Sequence, residues 1–411
     1  MFGKSEIPEL SLEVLQKFVT TFTTPPELAL STLFPESDSP SSTIKWESHR
    51  GGRGLTPFVP PGAPAPVTEV LGIASHQAEA AFWKEKIPFD EEFLNNIKKE
   101  GTTAEYMGAA QRLARELQSL SYRNMRRKEW MFAKMLTAGT FSYNTTKGVM
   151  TSVDYDVATA HIVTKSAAEQ WDDGADKDII GDIIAGKKII SDDCGGKVTH
   201  AVMSSTVLKY LARDPSIQTL LQKSTFGNGD LYSGSKNSIV GVNPNVIGSL
   251  LDIPNIVVYD EKFECRAYHT AAVSTVTVTV DNVADFEVGG TLRFVDVSAG
   301  TYEDETIASI STTAGTITTS SAVTLVPKVG EDYVYMVRPF IPEDIFVMFA
   351  ANVEGQPIAE FKRAPFALDR HYGIKMDQNE EWDPEVVWIR CQNKGLPVLY
   401  QRDAMYVLDV A

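Results

Sequence analysis

The chain has 411 residues, 43% hydrophobic and 22% charged, proportions of a folded protein long enough to bury a sizeable core in two or three domains. Its 54 Asp and Glu against 38 Lys and Arg give a net charge of −16, which excludes a dedicated nucleic-acid binder with a basic surface overall but not a local basic patch. Cys194, Cys265 and Cys391 are far apart and form no C-x-x-C pair, so neither a disulfide framework nor a zinc site is indicated, and the residues from Met1 to Leu10 lack the apolar core of a signal peptide.

In chain order, Leu10, Val14, Leu15 and Phe18 recur at helical spacing and predict a short helix within 5–22, stopped by Pro25-Pro26. Residues 27–34 form a second short apolar turn before Pro35. This opening is too small for its own core and reads as an arm lying on something else. Residues 41–86 carry two extended stretches, around Ile44 and Trp46 and from Val67 to Trp83. Between them lie Gly51-Gly52-Arg53-Gly54 and five prolines within 57–66, which exclude a helix and oppose central-strand pairing. The pattern predicts a long, exposed β-hairpin, with its tip at 49–54 or at 60–66. Exposed apolar residues on such an arm need another chain to cover them.

Tyr106, Ala110, Leu113, Leu117 and Leu120, continued by Trp130, Met131 and Met135, predict a helix over 104–138 with Gly139 at its C-terminal stop. Its charges are lopsided, seven basic residues against Glu105, Glu116 and Glu129, or 7 − 3 = +4. Residues 157–264 read as mixed α/β, with helices at 175–190 and 205–222, short strands at 198–203 and 256–259, and a Gly/Ser/Asn loop at 227–238. Composition then shifts. The strict Thr/Val alternation of 275–280, with further period-two stretches at 291–295 and 332–335, predicts an inserted antiparallel sandwich or barrel. Over 271–335 its charge is 2 − 9 = −7. Mixed character returns after Pro342.

Taken in this order, several stretches resemble the phage major capsid protein E family, the lambda-like tailed-phage branch of the Hong Kong 97-type capsid fold. They are Thr24-Pro25-Pro26, Leu33-Phe34-Pro35, Ile44-Lys45-Trp46-Glu47, the run from Leu55 to Ala65, Trp171-Asp172-Asp173 through Asp178-Ile179, and Val258-Tyr259-Asp260-Glu261. Phe340-Ile341-Pro342 with Val347, and Trp388 with Tyr406-Val407-Leu408, complete the set, which spans most of 20–265 and 338–411. The resemblance implies an α+β chain with an N-terminal arm at 1–40, an extended hairpin loop at 41–86, and a peripheral domain at 87–156 with a spine helix at 104–138. An axial domain follows at 157–267, and 338–411 returns to the axial and peripheral strands; the small all-β domain at 268–337, read from the composition shift, is an insertion that departs from the family's minimal pattern.

That likeness implies a major capsid protein, not an enzyme, assembling into the hexamers and pentamers of an icosahedral shell around packaged double-stranded DNA, with a maturation step that rotates packed domains. The expected place is the virion, with assembly in the host cytoplasm. Expected partners are copies of itself, a portal protein, a decoration protein and, since the N-terminal arm is short, a separate scaffolding protein; no membrane is involved. Trp46, Arg50, Arg53, Phe58, Phe82 and Trp83 are the candidate contacts between subunits. Arg123, Arg126, Arg127 and Lys128 are candidates to face the shell interior and its DNA, against the plainer alternative that they pair with acidic groups. Two rivals stand beside this: an encapsulin-like compartment shell, and a hydrolase with a β-rich binding module.

Chemistry is sparse in the sequence. No phosphate-binding loop, metal-spaced histidine set or paired-carboxylate site is present, so no cofactor is expected. Asp172, Asp173, Asp176 and Asp178 hint at calcium but lack the glycine and glutamate of an EF-hand loop, and a carboxylate-rich first helical turn explains them as well. Cys194 and His200 make a poor nucleophile and base, because Asp192-Asp193 opposes thiolate formation.

Overall fold

The computed structural model describes residues 25–49, 55–56, 58–62, 64–65, 67, 73–90, 103–144, 150–223, 231, 242–283, 285–325, 328–383 and 385–411. The helix expected at 5–22, the loop at 227–238 apart from Leu231, and Gly51, Gly52 and Gly54 of the hairpin fall outside them. The chain divides into two compact units, one of residues 1–259 with 341–411, the other of residues 260–340.

The first unit is organised by helix α1, Thr103–Ala138, 36 residues long and so about 54 Å at 1.5 Å per residue. Leu113, Leu117 and Leu120 fall on one face and pack with Phe89, Met376, Val387, Ile389 and Cys391. The helix stops at Gly139, whose N–H bonds to Met135 O and whose φ of +65° suits glycine. A Cβ there would meet Val157 Cγ2 at 2.9 Å, so the position also needs a residue without a side chain.

Two five-stranded sheets are the larger sheets of the unit. One runs Glu36–Asp38, Ala359–Arg363, Glu385–Leu399, Lys375–Trp382, with Ala81–Asp90 also paired to the long strand Glu385–Leu399. The other is mixed and runs Ile162–Thr164, Met405–Asp409, Ile345–Phe349, His200–Met203, Asn255–Val258. Its central strand is an unbroken apolar run, with Phe346, Val347, Met348 and Phe349 all buried, as a strand covered on both faces requires. Helices α2 (Ile179–Cys194), α3 (Ser205–Arg213), α4 (Pro215–Lys223) and α5 (Pro244–Leu250) accompany this second sheet.

Two expected helices differ in extent. The one placed at 175–190 begins at Ile179, because the Asp178 carboxylate caps it by accepting the Gly181 N–H at 3.0 Å. It runs on to Cys194, where Gly195 at φ +74° ends it. The helix placed at 205–222 is two helices. Pro215 has no N–H to continue α3, and the Asp214 carboxylate caps α4 by accepting the Ser216 and Ile217 N–H groups at 2.9 and 3.1 Å.

The second unit is an antiparallel six-stranded sheet in the order Lys262–Tyr268, Tyr333–Pro339, Thr291–Asp296, Thr301–Ser311, Thr316–Thr319, Thr277–Thr279. The His269–Val280 bridge joins its two outer strands through Thr270 N–H to Thr279 O (3.0 Å) and Asp281 N–H to Tyr268 O (3.1 Å). The sheet therefore closes into a small barrel around Leu292, Phe294, Ile307, Ile317 and Val334. Its first strand precedes the composition shift because its outward residues, Glu264 and Arg266, are charged while Cys265 and Ala267 point inward. The Thr/Val run forms only a three-residue strand; Thr275 sits at φ +22°, off strand geometry.

Candidate functional site

No described group of His, Cys, Asp or Glu side chains is arranged to hold a metal ion. Asp178 is a helix cap, and Asp172, Asp173 and Asp176 are exposed in the turns before it, not in the first helical turn. Cys194 is buried at the end of α2, with its Sγ donating to Ile190 O at 3.1 Å, a structural position. The surfaces that bear on function are the arm, the hairpin and the long helix.

The arm is fastened to α1 by a buried carboxylate. Glu129 Oε1 accepts the Leu30 N–H at 2.7 Å and the Tyr259 hydroxyl at 2.7 Å, and Oε2 accepts the Ser31 N–H at 2.8 Å. A fully buried charge with three donors is satisfied, where an unpaired one would cost several kcal/mol. Next along the arm, the Phe34 ring stacks on Phe132 of α1 at 5.2 Å and packs against Phe349 at 5.6 Å. Residues Glu36–Asp38 then add a parallel strand beside Phe361–Arg363. Arg363 Nε donates to Asp38 at 2.7 Å, and Lys128 pairs with Glu36 while lying over the Phe361 ring.

The hairpin pairs Thr43–His49 with Ile73–Glu79 over seven register positions. Ile44, Trp46 and Ser48 form its buried face. Trp46 stacks on His76 at 5.4 Å and leans on Tyr155 at 6.1 Å. Trp46 therefore packs inside its own subunit, which corrects its assignment as a contact between subunits; the period of two shows that one face is buried but not by which chain. Trp83 is half-buried and donates to Asn124 Oδ1 at 2.9 Å, and Phe82 packs at 5.9 Å from Phe366. Phe58 stands fully exposed, as do Leu55 and Val67, with Val59 also exposed. Arg50 and Arg53 lie outside the described residues.

The basic stretch of α1 is in part neutralised within the chain. Arg123 pairs with Glu85, Lys128 with Glu36, and Arg127 lies over the Trp130 ring at 5.1 Å. Arg123 and Lys128 thus have the acidic partners of the plainer alternative, because strands 36–38 and 81–90 bring carboxylates across α1 from distant parts of the sequence. Arg126 is exposed and has no ion pair among the described residues.

An N-terminal arm clamped on a long helix, a proline-rich hairpin and two packed sheets constitute the Hong Kong 97-type capsid fold. Two solved structures share it. A phage-related protein from Bordetella bronchiseptica RB50 is 10% identical, with 97% of each chain covered and a TM-score of 0.50. A prophage protein of E. coli CFT073 assigned as a capsid protein is 12% identical, with 97% of this chain and 99% of that chain covered and a TM-score of 0.53. No curated protein matches the sequence. The phage major capsid protein E family matches residues 11–264, more than half of the chain, and the chain belongs to that family.

Proposed function

We propose that this chain is the shell subunit of a tailed phage, closing into hexamers and pentamers of an icosahedral head that encloses double-stranded DNA. The observation that carries the reading is the family match across the arm, the hairpin and α1, the parts that lie on other elements and not in a self-contained core. Leu55, Phe58, Val59 and Val67 support it, because a stretch of apolar side chains held in water is stable only when another surface covers it. The subunit then acts by burying surface and not by catalysis, and its place is the virion, built in the host cytoplasm.

Within this reading a separate scaffolding protein guides closure, and a portal protein and a decoration protein join the shell. The exposed Arg126 faces the interior and attracts phosphate without sequence preference. Phage capsid membership favours a genome container over a compartment for cargo enzymes. Electron microscopy of the purified protein tests the proposal. Capsomers or polyhedral particles are expected; a uniform population of compact single subunits would overturn it.

A further inference from the structure

Between strands Ala359–Arg363 and Lys375–Trp382 the chain makes a tight tip, Ala367–Arg370. Reciprocal backbone bonds close it, Phe366 N–H to His371 O at 3.1 Å and His371 N–H to Phe366 O at 2.9 Å. Both flanks are tied down: Arg370 donates to Pro40 O at 3.0 Å, and Lys375 donates to Asp369 at 2.7 Å. Ala367 and Arg370 are held at φ +58° and +52°, which residues with a side chain adopt at a cost. What this anchored, strained tip presents is Leu368, fully exposed to solvent.

Beside the tip lies a cleft of about 380 Å³, walled by Ala80, Phe82, Pro365 and Phe366 and with room for a leucine side chain. Glu79 and Lys394 stand on it, one charge of each sign, and neither has an ion pair among the described residues. The tip carries one charge of each sign as well, Asp369 and Arg370, directly beside the leucine. The cleft has the volume for the leucine between its apolar walls, and Glu79 on its rim complements Arg370 at the tip. Tip and cleft sit side by side on one surface, so Leu368 cannot turn back into its own cleft without breaking the bonds that fix the tip.

We infer that Leu368 of one copy seats in the Phe82–Phe366 cleft of a neighbouring copy, with Arg370, whose guanidinium gives only one nitrogen to Pro40, meeting Glu79. A surface that carries both halves of a contact is suited to repetition around a symmetry axis. The inference rests on the self-assembly reading and adds to it a particular contact.

Full-length protein carrying Leu368→Glu is compared with the unaltered chain under conditions where the latter forms particles. Leu368 is bare in the subunit, so the variant is expected to fold normally, with an unchanged circular dichroism spectrum, and to yield at least tenfold fewer particles. In a second protein, Leu368→Cys combined with Ser42→Cys at the cleft is expected to give disulfide-linked chains in particles that neither single cysteine gives. Normal particle yield from Leu368→Glu, or particles without linked chains, overturns the contact and leaves the self-assembly reading standing. Failure of the unaltered chain to assemble overturns the reading, and the contact with it.

Discussion

Glu129, in the C-terminal third of the long helix, accepts the main-chain N–H of Ser31 at 2.8 Å, a bond that spans 98 residues of sequence. The same carboxylate holds Leu30 and Tyr259, so one side chain joins the arm, α1 and the residue that precedes the barrel.

Glu129→Gln should loosen the arm. The amide oxygen can still accept, but the amide nitrogen is a donor and would face a donor, leaving a buried group unsatisfied at about 2–3 kcal/mol. Amide hydrogen exchange at Leu30 and Ser31 should accelerate markedly in the variant, while exchange in the barrel stays as it was. Unchanged protection at Leu30 and Ser31 would mean that the aromatic packing of Phe34 holds the arm alone.

Asp344 and Asp409 lie at the same end of the antiparallel pair of strands 345–349 and 405–409, Asp344 just before the first and Asp409 the last residue of the second. Burial pushes the Asp344 carboxyl up first, and then Asp409, Glu343 and Asp172 push it further; burial likewise raises Asp409. A carboxyl with a raised value in the folded chain holds more protons there than in the unfolded chain. Stability is therefore lost as pH rises from the ordinary 3.8 through the raised values, and the whole penalty is present at neutral pH. Asp344→Asn should stabilise the protein at pH 7, by less than about 1 kcal/mol because solvent screens these partly exposed groups. In urea titrations the gain should shrink towards pH 4; a gain independent of pH would contradict this origin.

Gly186 lies inside α2, where glycine costs a helix about 1 kcal/mol relative to alanine. A Cβ at that position would meet Met348 Cε at 2.5 Å and the Tyr406 ring at 2.7 Å. Overpacking of about 1–3 kcal/mol then outweighs the gain in propensity. Gly186→Ala should lower the melting temperature of the dissociated subunit, and a rise would show that the sheet yields easily.

The barrel closes on itself and has its own core, so residues 260–340 expressed alone should fold. A cooperative thermal transition with a near-ultraviolet circular dichroism signal is expected. A broad, non-cooperative melt would show that the rest of the chain is needed to hold it.

The extent of α1 is legible in the spacing of Leu113, Leu117 and Leu120 and in Gly139, because one buried stripe and one stop define a helix. The barrel is legible in period-two alternation. The break at Asp214-Pro215 was open to reading too, since proline after a capping residue starts a helix rather than continuing one. Other features depend on what meets across long separations. Glu129 lies in a basic stretch and reads as a solvated charge until the arm is seen to cover it. Which chain covers Trp46 is equally hidden, as is the tip at Leu368, whose positive-φ residues are not the glycines that would announce such a turn.

Limited chymotrypsin digestion bears most directly on the claim that the proline-rich hairpin is completed by other copies. Cleavage after Leu55 and Phe58 should be rapid in separated subunits and blocked in assembled particles. Equal resistance in a stable, separated subunit would show that the chain covers this stretch by itself, and the shell reading would lose its physical basis.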